Sequence, residues 1–261
     1  METINNKKPP ITGNSPERAH FSVLNPKSPI NLVIANSQYL NFDQINIESI
    51  LSPSEIAIMQ RRKSDSAKRE YLASRYLIKC LAQQYFAIEL KELTTFFDEP
   101  SARLVIKYQN STLPLSLVIS HSKGWVAVYL ASTPERMGID LEFISEKRPF
   151  LKLAKHFYHI DEINEIERAN PMSDTFFRIW TLKEALAKAI AVPIAKLLAP
   201  NVYEGYANNN LLAYSCQTKQ FDFSLAAPAT VFQPPALIEV LLKPNLTGFE
   251  QTAVNRLHNV I

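Results

Sequence analysis

Two acids on a short apolar run and a third on a helix set the chemical question in this sequence. "MGIDLEF" (137–143) carries Asp140 and Glu142, separated only by Leu141. On a strand, side chains alternate between faces, so Ile139, Leu141 and Phe143 point to a core while Asp140 and Glu142 share the other face. Two like charges that close repel unless something positive lies between them. Downstream, "WTLKEALAK" places Trp180, Glu184 and Lys188 at i, i+4 and i+8, one row of a helix. Ile179, Leu182, Leu186, Ala189 and Ile190 form its apolar stripe. Taken singly, these features have plain structural roles. The strand shows a polar face, and Glu184–Lys188 is a helical pair worth about 0.2–0.5 kcal/mol. Together they describe a different chemistry. Asp140, Glu142 and Glu184 can hold a hard cation such as Mg²⁺, which takes oxygen ligands and shares them with substrate phosphates. Lys188 would then reach phosphate oxygens, with His121 as a further anion contact. A metal-bridged diphosphate flanked by cations is what a phosphoryl-type displacement needs.

The elements that must position these groups come in two successive runs. "INLVIAN" (30–36) is a strand. Ser52, Pro53 and Glu55 are N-cap, N1 and N3 of a helix with a capping box. A second helix spans about 65–87, with Ala73, Leu77, Cys80 and Leu81 on its buried side. Arg61, Arg62, Lys63, Lys68, Arg69, Arg75 and Lys79 give this region the densest basic surface of the chain, which on a helix alone is an ordinary solvated face. "LPLSLVISHSKGWVAVYLAS" (113–132) is a β-hairpin turning at Ser122-Lys123-Gly124, with Ser120 and His121 at the strand rim. After "MGIDLEF" come a short helix in "HIDEINEIERA", a long one over 174–190, and the strands "FDFSLAAPATVF" and "ALIEVLL". "VAVYLAS" and "FSLAAPA" are candidates for equivalent strands of the two runs. These patterns predict an α+β protein of two similar subdomains, 30–137 and 138–245. Residues 1–29, rich in Pro, Asn and Ser, read as a flexible tail; residues 246–261 carry no assignment. Trp125, Tyr129 and Trp180 are expected in packing. His156 and His159 lack a third ligand and are expected in solvated roles.

Composition narrows the class. The chain has 261 residues and a net charge of +3, which demands neither nucleic acid nor an anionic membrane. No segment approaches the roughly 20 apolar residues of a membrane span, and "METINNKKPP" lacks the apolar core of a signal peptide. Cys80 and Cys216 are the only cysteines, and a buried free thiol is expected for Cys80. A cytoplasmic location follows as an expectation. The five glycines stand far apart, so neither a G-x-G-x-x-G turn nor a P-loop can form. Any nucleotide must be held by side chains, a metal, or both.

"ISHSKGWVAVYL", "MGIDLE", "AKHFYHIDE" and "FFRIWTLKEALAKA", in this order and spacing, resemble the 4′-phosphopantetheinyl transferases of the Sfp type, the superfamily that includes holo-acyl-carrier-protein synthases. The similarity is strong over about 115–190 and weaker from about 50 to about 228. The resemblance implies a fold of two α/β subdomains related by a pseudo-twofold, each a small antiparallel sheet packed with helices. It implies a monomer that moves phosphopantetheine from coenzyme A to a serine of an apo carrier protein, with coenzyme A and Mg²⁺ (or Mn²⁺ in its place) in the cleft. By the same resemblance, Asp140, Glu142 and Glu184 match the metal-binding carboxylates, and Lys188 the lysine that contacts the diphosphate. Ser120 and His121 match the Ser-His pair on coenzyme A. Arg75, with Arg62, Lys63 or Arg69, matches the basic residues on the 3′-phosphate. Lys183 either touches coenzyme A or pairs locally. Phe157 and Tyr158 match an aromatic pair near the carrier-binding surface.

One stretch departs from the pattern. A Gly-Lys-Pro run that contacts the adenine end of coenzyme A in the family is replaced here by "FDEPSARLVI", where Pro100 and Arg103 are the stand-ins. The expected chemistry has the carrier serine attacking the β-phosphate, with Glu184 as base directly or through water and Glu142 as the alternative. Two competing expectations belong to other classes. One is a catalytically silent coenzyme A or carrier-protein binding module; the other is a nucleic-acid-binding protein using 61–79, against which the modest charge and absent motif weigh.

Overall fold

The computed structural model describes residues 29–133, 135–145, 149–230 and 235–260. The tail expected over 1–29 therefore lies outside the described residues except at its last position. In chain order the elements are β1 (Leu32–Asn36), α1 (Pro53–Gln60), α2 (Asp65–Ala82), β2 (Leu93–Asp98), β3 (Arg103–Tyr108) and β4 (Ser111–Thr112). The hairpin strands follow as β5 (Ser116–Ser122) and β6 (Trp125–Ala131), then β7 (Gly138–Phe143). Next are α3 (Phe150–Phe157), α4 (Ile160–Arg168), α5 (Met172–Ile190) and α6 (Val202–Asn208). The chain closes with β8 (Leu211–Gln217), β9 (Phe221–Pro228), β10 (Leu237–Leu242), β11 (Phe249–Asn255) and β12 (His258–Asn259).

The class is α+β, as the element pattern predicts. A five-stranded sheet has the order β11-β10-β1-β6-β5, a four-stranded sheet the order β12-β8-β9-β7, and a small sheet the order β2-β3-β4. Leu32, Ile34, Trp125, Ala127 and Tyr129 of the first sheet pack on Ile139, Leu141, Phe221, Phe223 and Leu225 of the second. The opposite face of the first sheet, with Val33, Val126 and Val128, packs on Leu72, Tyr76 and Leu77 of α2. The opposite face of the second, with Ala213 and Ala226, packs on Leu182, Ala185 and Leu186 of α5. The layers thus run α2, sheet, sheet, α5. Trp125 and Tyr129 are core residues, as expected.

Several elements differ from the sequence reading. Helix α2 stops at Ala82 rather than near 87, because Tyr85 and Phe86 turn back into the core beneath it. Strand β10, grouped along the chain with the second run, pairs in parallel with β1 of the first sheet. That pairing buries Leu237, Val240 and Leu242. The unassigned C-terminal stretch supplies β11 beside β10 in the first sheet and β12 beside β8 in the second.

Two helices are tied down in the same way. Glu55, the N3 residue of the α1 capping box, accepts from Lys79 Nζ at 2.6 Å, and both side chains are fully buried. Glu162, the N3 residue of the α4 capping box, stands 2.8 Å from Lys183 Nζ, again with both fully buried. In each half a short capped helix is pinned to the long helix by one buried ion pair, whose disruption on one side alone costs about 3–5 kcal/mol.

Candidate active site at the seam of the two sheets

Strand β7 places its residues as alternation requires. Ile139 and Leu141 enter the core between the sheets, while Asp140 and Glu142 turn toward α5 and the edge strand β5. Gly138 opens the strand where it meets the helix. A Cβ there would lie 1.9 Å from Ala185 O and 2.7 Å from Ala189 N, so only glycine permits this approach. The close contact sets the α5 row carrying Glu184 and Lys188 directly over the acids.

The positive partner of Asp140 is Lys188. Its Nζ donates to Asp140 Oδ1 at 2.8 Å, to Ile139 O at 2.9 Å and to Ser120 Oγ at 3.2 Å. Ser120 Oγ in turn donates to Asp140 Oδ1 at 2.8 Å and accepts from Leu141 N. One step along, Ser122 Oγ donates to Glu142 Oε2 at 2.8 Å and accepts from Phe143 N. The two serines stitch β5 to β7, replacing the main-chain ladder that these strands do not form. The sequence places Ser122 only in the hairpin turn, whereas it ends strand β5 and pairs with Trp125; Ser at i and i+2 facing Asp and Glu at i and i+2 is the signature of such a seam.

The charge balance of the cluster is uneven. Asp140 is buried, and its Oδ2 has no hydrogen-bond partner. Burial pushes the Glu184 carboxyl up from its ordinary value; Asp140 and, less strongly, Glu142 push the same way, and Lys188 opposes them. Lys188 thus serves both Asp140 and Glu184. As the side chains stand, the described residues form no three-ligand His, Cys, Asp or Glu cluster ready to enclose a metal.

A fourth acid lies behind them. Asp222 of β9 is the cross-strand partner of Glu142, accepts from Thr181 Oγ1 at 2.6 Å and from Gln217 Nε2 at 2.9 Å, and is pushed up to about 7 by burial. Thr181 also bonds Ser224 Oγ at 2.7 Å. This buried network fixes α5 against β9 one turn before Glu184. In sequence Asp222 is only a polar position within "FDFS".

Glu184 and Lys188 line a cleft of about 910 Å³ together with Arg103, Arg136, Leu117 and Val192. Arg103, the stand-in for the missing basic residue of the family, is thus on the cleft. So is Arg136, which the sequence reading passed over; its Nη2 donates to Ser101 O at 2.6 Å. Burial and the nearby Arg103 charge pull Arg136 below its ordinary value. Among the described residues neither arginine has a carboxylate partner.

The remaining candidates lie elsewhere. His121 faces α2, opposite Ser120 and Ser122, with Nδ1 3.3 Å from Glu70 Oε2. Arg75 is buried, its guanidinium 4.2 Å from the Tyr71 ring, with Nε unpartnered. Arg62 and Lys63 are exposed, and Arg69 bonds Leu40 O. The basic surface read from 61–79 is smaller than its sequence suggests, because Arg75 and Lys79 are interior. Lys183 takes the local alternative, with Nζ on Glu162, Leu197 O and Pro200 O inside the second half. Trp180 packs against the cluster formed by α3, α4 and α5. His159 caps α4 and His156 stands edge-on to Phe157. Phe157 is exposed and Tyr158 is buried.

Residues 136–225 match the sequence profile of the 4′-phosphopantetheinyl transferase superfamily. A Synechocystis sp. protein is 28% identical over 145 residues, 54% of this chain and 57% of its own length. The 4′-phosphopantetheinyl transferase HetI of Nostoc sp. is 28% identical over 155 residues, 58% of this chain and 64% of its own. The 4′-phosphopantetheinyl transferase gsp of Aneurinibacillus migulanus is 39% identical over 74 residues, 28% of this chain and 30% of its own. The matched segments cover less than two thirds of these relatives. Residues 136–225 span β7 and α5, the two elements that bring the acids and Lys188 together, so the candidate site is built within the segment that resembles the 4′-phosphopantetheinyl transferase superfamily.

Proposed function

We propose that this protein transfers the 4′-phosphopantetheinyl group of coenzyme A to a serine hydroxyl of an apo carrier protein and releases 3′,5′-ADP. The observation that carries the reading is the meeting of Asp140 with Lys188, beside Glu142 and Glu184, where Lys188 and Glu184 also line a cleft with Arg103 and Arg136. The partner is an acyl, peptidyl or polyketide carrier. A monomer is the proposed state. No described helix is long and apolar enough to cross a membrane. With both cysteines free and each thiol pushed up to about 11 by burial, the cytoplasm is the proposed compartment.

The acid set fits Mg²⁺, with Mn²⁺ as a substitute. Asp140 Oδ2 is an orphaned buried oxygen, and like charges crowd Glu184; oxygen donors of this kind suit a hard cation. Bound by Asp140, Glu142 and Glu184, the ion would neutralise charge on the diphosphate oxygens.

The chain's own side chains supply the rest. The serine oxygen forms a bond to the β-phosphorus, and the bond from that phosphorus to the bridging oxygen of 3′,5′-ADP breaks. Lys188, Arg103 and Arg136 offer donors to the diphosphate and the leaving group, where charge develops. Glu184 takes the serine proton. Lys188 and Ser120 already donate to Asp140 and Ser122 to Glu142, whereas the Glu184 carboxylate accepts no hydrogen bond among the described residues. A cation on the same carboxylate would lower its proton affinity, so the proton passes through a water.

The test is to incubate the protein with coenzyme A, Mg²⁺ and a panel of apo carrier proteins, then weigh the carriers. Addition of one phosphopantetheinyl group to a carrier supports the reading. Coenzyme A binding with no transfer to any carrier would replace it with a silent binding module.

A further inference from the structure

The tip of the β5–β6 hairpin rests on a carboxylate with no part in the chemistry above. Glu70 projects from α2 with its side chain 15% exposed. Its Oε1 accepts from Gly124 N at 2.7 Å, and its Oε2 lies 3.3 Å from His121 Nδ1. The two-residue turn it holds is formed by Lys123 and Gly124, both in left-handed conformations at φ 51° and 87°, as the tightest hairpins require.

We propose that Glu70 is the positioning residue for His121, fixing Nδ1 as the protonated ring nitrogen and presenting Nε2 to an anionic oxygen of coenzyme A. This rests on the proposed coenzyme A reading; His121 faces α2 and is not among the residues that line the cleft with Glu184 and Lys188. The two imidazole nitrogens are distinct, and the partner of one sets the role of the other. A carboxylate accepts only, so it demands a proton on Nδ1. The ring is 58% exposed, which leaves Nε2 open to solvent and substrate. Strand alternation puts His121 on the face of β5 opposite Ser120 and Ser122, so its orientation cannot come from the seam that holds the acids. Glu70 supplies it from α2 and anchors the turn with the same carboxylate.

Glu70→Gln separates the two roles. The amide oxygen can still accept from Gly124 N, while the amide nitrogen replaces a carboxylate oxygen beside His121 and favours a proton on Nε2 instead. ¹⁵N NMR of the His121 ring at a pH where it is neutral reads the tautomer, thermal melting reads the fold, and titration with coenzyme A reads binding. The wild type should show the Nδ1–H tautomer. Glu70→Gln should melt like the wild type, show the Nε2–H tautomer and bind coenzyme A about tenfold more weakly; Glu70→Asp should restore part of that loss. A wild-type ring protonated on Nε2, or Glu70→Gln binding coenzyme A as the wild type does, would overturn the proposal. A Glu70-dependent tautomer in a protein that binds no coenzyme A would support the Glu70–His121 assignment and overturn the coenzyme A reading.

Discussion

Glu184 is held differently from the two acids it faces, and that difference decides what each can do. Asp140 is pinned by Ser120 and Lys188 and Glu142 by Ser122, whereas Glu184 is half-buried, free of donors among the described residues and raised by burial and then by Asp140. Glu184→Ala should keep the fold, since Ala is the better helix former, and should lower the transfer rate by about 10²–10⁴-fold, the usual range of a general base. A carrier-modification assay that retained more than a tenth of wild-type activity would contradict the role. Lys188→Ala should remove the counter-charge of buried Asp140 and lower stability by about 1–3 kcal/mol, less than a fully buried pair because Lys188 is partly exposed. If the acids accept Mg²⁺, millimolar Mg²⁺ should raise the melting temperature of Lys188→Ala more than that of wild type; equal shifts would count against the metal site. The strand acids and the Glu184–Lys188 row were legible because periods of 2 and 3.6 fix faces. Lys188 was legible from its row with Glu184, whereas Lys183 stood between coenzyme A and a local pair, because that choice depends on Glu162 arriving from α4. Arg136 was invisible for a similar reason: nothing local says that its loop borders a cleft.

At the level of elements, the site depends on how closely α5 rides on β7. Gly138→Ala should push the helix from the strand, because its Cβ would collide with the main chain at Ala185 and Ala189. Overpacking of this kind costs about 1–3 kcal/mol, and activity should fall further than stability because Glu184 and Lys188 move with the helix. Melting curves and transfer rates measured together check this; full activity with an unchanged midpoint would contradict it. The network on β9 gives a pH signature. Burial lifts Asp222 from an ordinary 3.8 to about 7. Between those values the folded chain keeps a proton that the unfolded chain releases. The stability from this group is therefore complete below about pH 4, declines as pH rises toward about 7 and is flat above. In EDTA, the drop in urea midpoint from about pH 5 to about pH 8 should be smaller in Asp222→Asn than in wild type; identical drops would contradict the assignment. The capping box of α1 and the hairpin turn were readable because caps and turns are local chemistry. The β2-β3-β4 sheet was not, since its short strands acquire an apolar face only on docking beside Glu55 and Leu113.

At the scale of the whole molecule, two sheets stacked face to face put their edge strands β5 and β7 side by side, and the site is that seam. The C-terminal segment ties the stack together. It leaves the first sheet at β11, packs Leu257 into the core between the sheets, and joins the second sheet at β12, where Val260 N donates to Ala213 O at 2.8 Å. Leu257→Ala should cost about 1–2 kcal/mol, below the loss for a fully buried leucine, with one cooperative transition in denaturant; two separate transitions would contradict a coupled stack. The parallel pairing of β10 with β1 joins residues some 200 positions apart in sequence, and no local pattern encodes it. That is why the class was legible from the order of elements while the destination of the last strands was not.

If the acids of β7 and the α5 row form one transferase site, a carrier protein gains mass only while that row is intact. The most direct measurement is the intact mass of an apo carrier protein after incubation with coenzyme A, Mg²⁺ and either the wild-type chain or Glu184→Ala. The expected result is one phosphopantetheinyl group gained per carrier serine with the wild type and essentially none in the same time with the variant. Equal gains with both proteins would contradict the account, as would no gain with the wild type on any carrier tested.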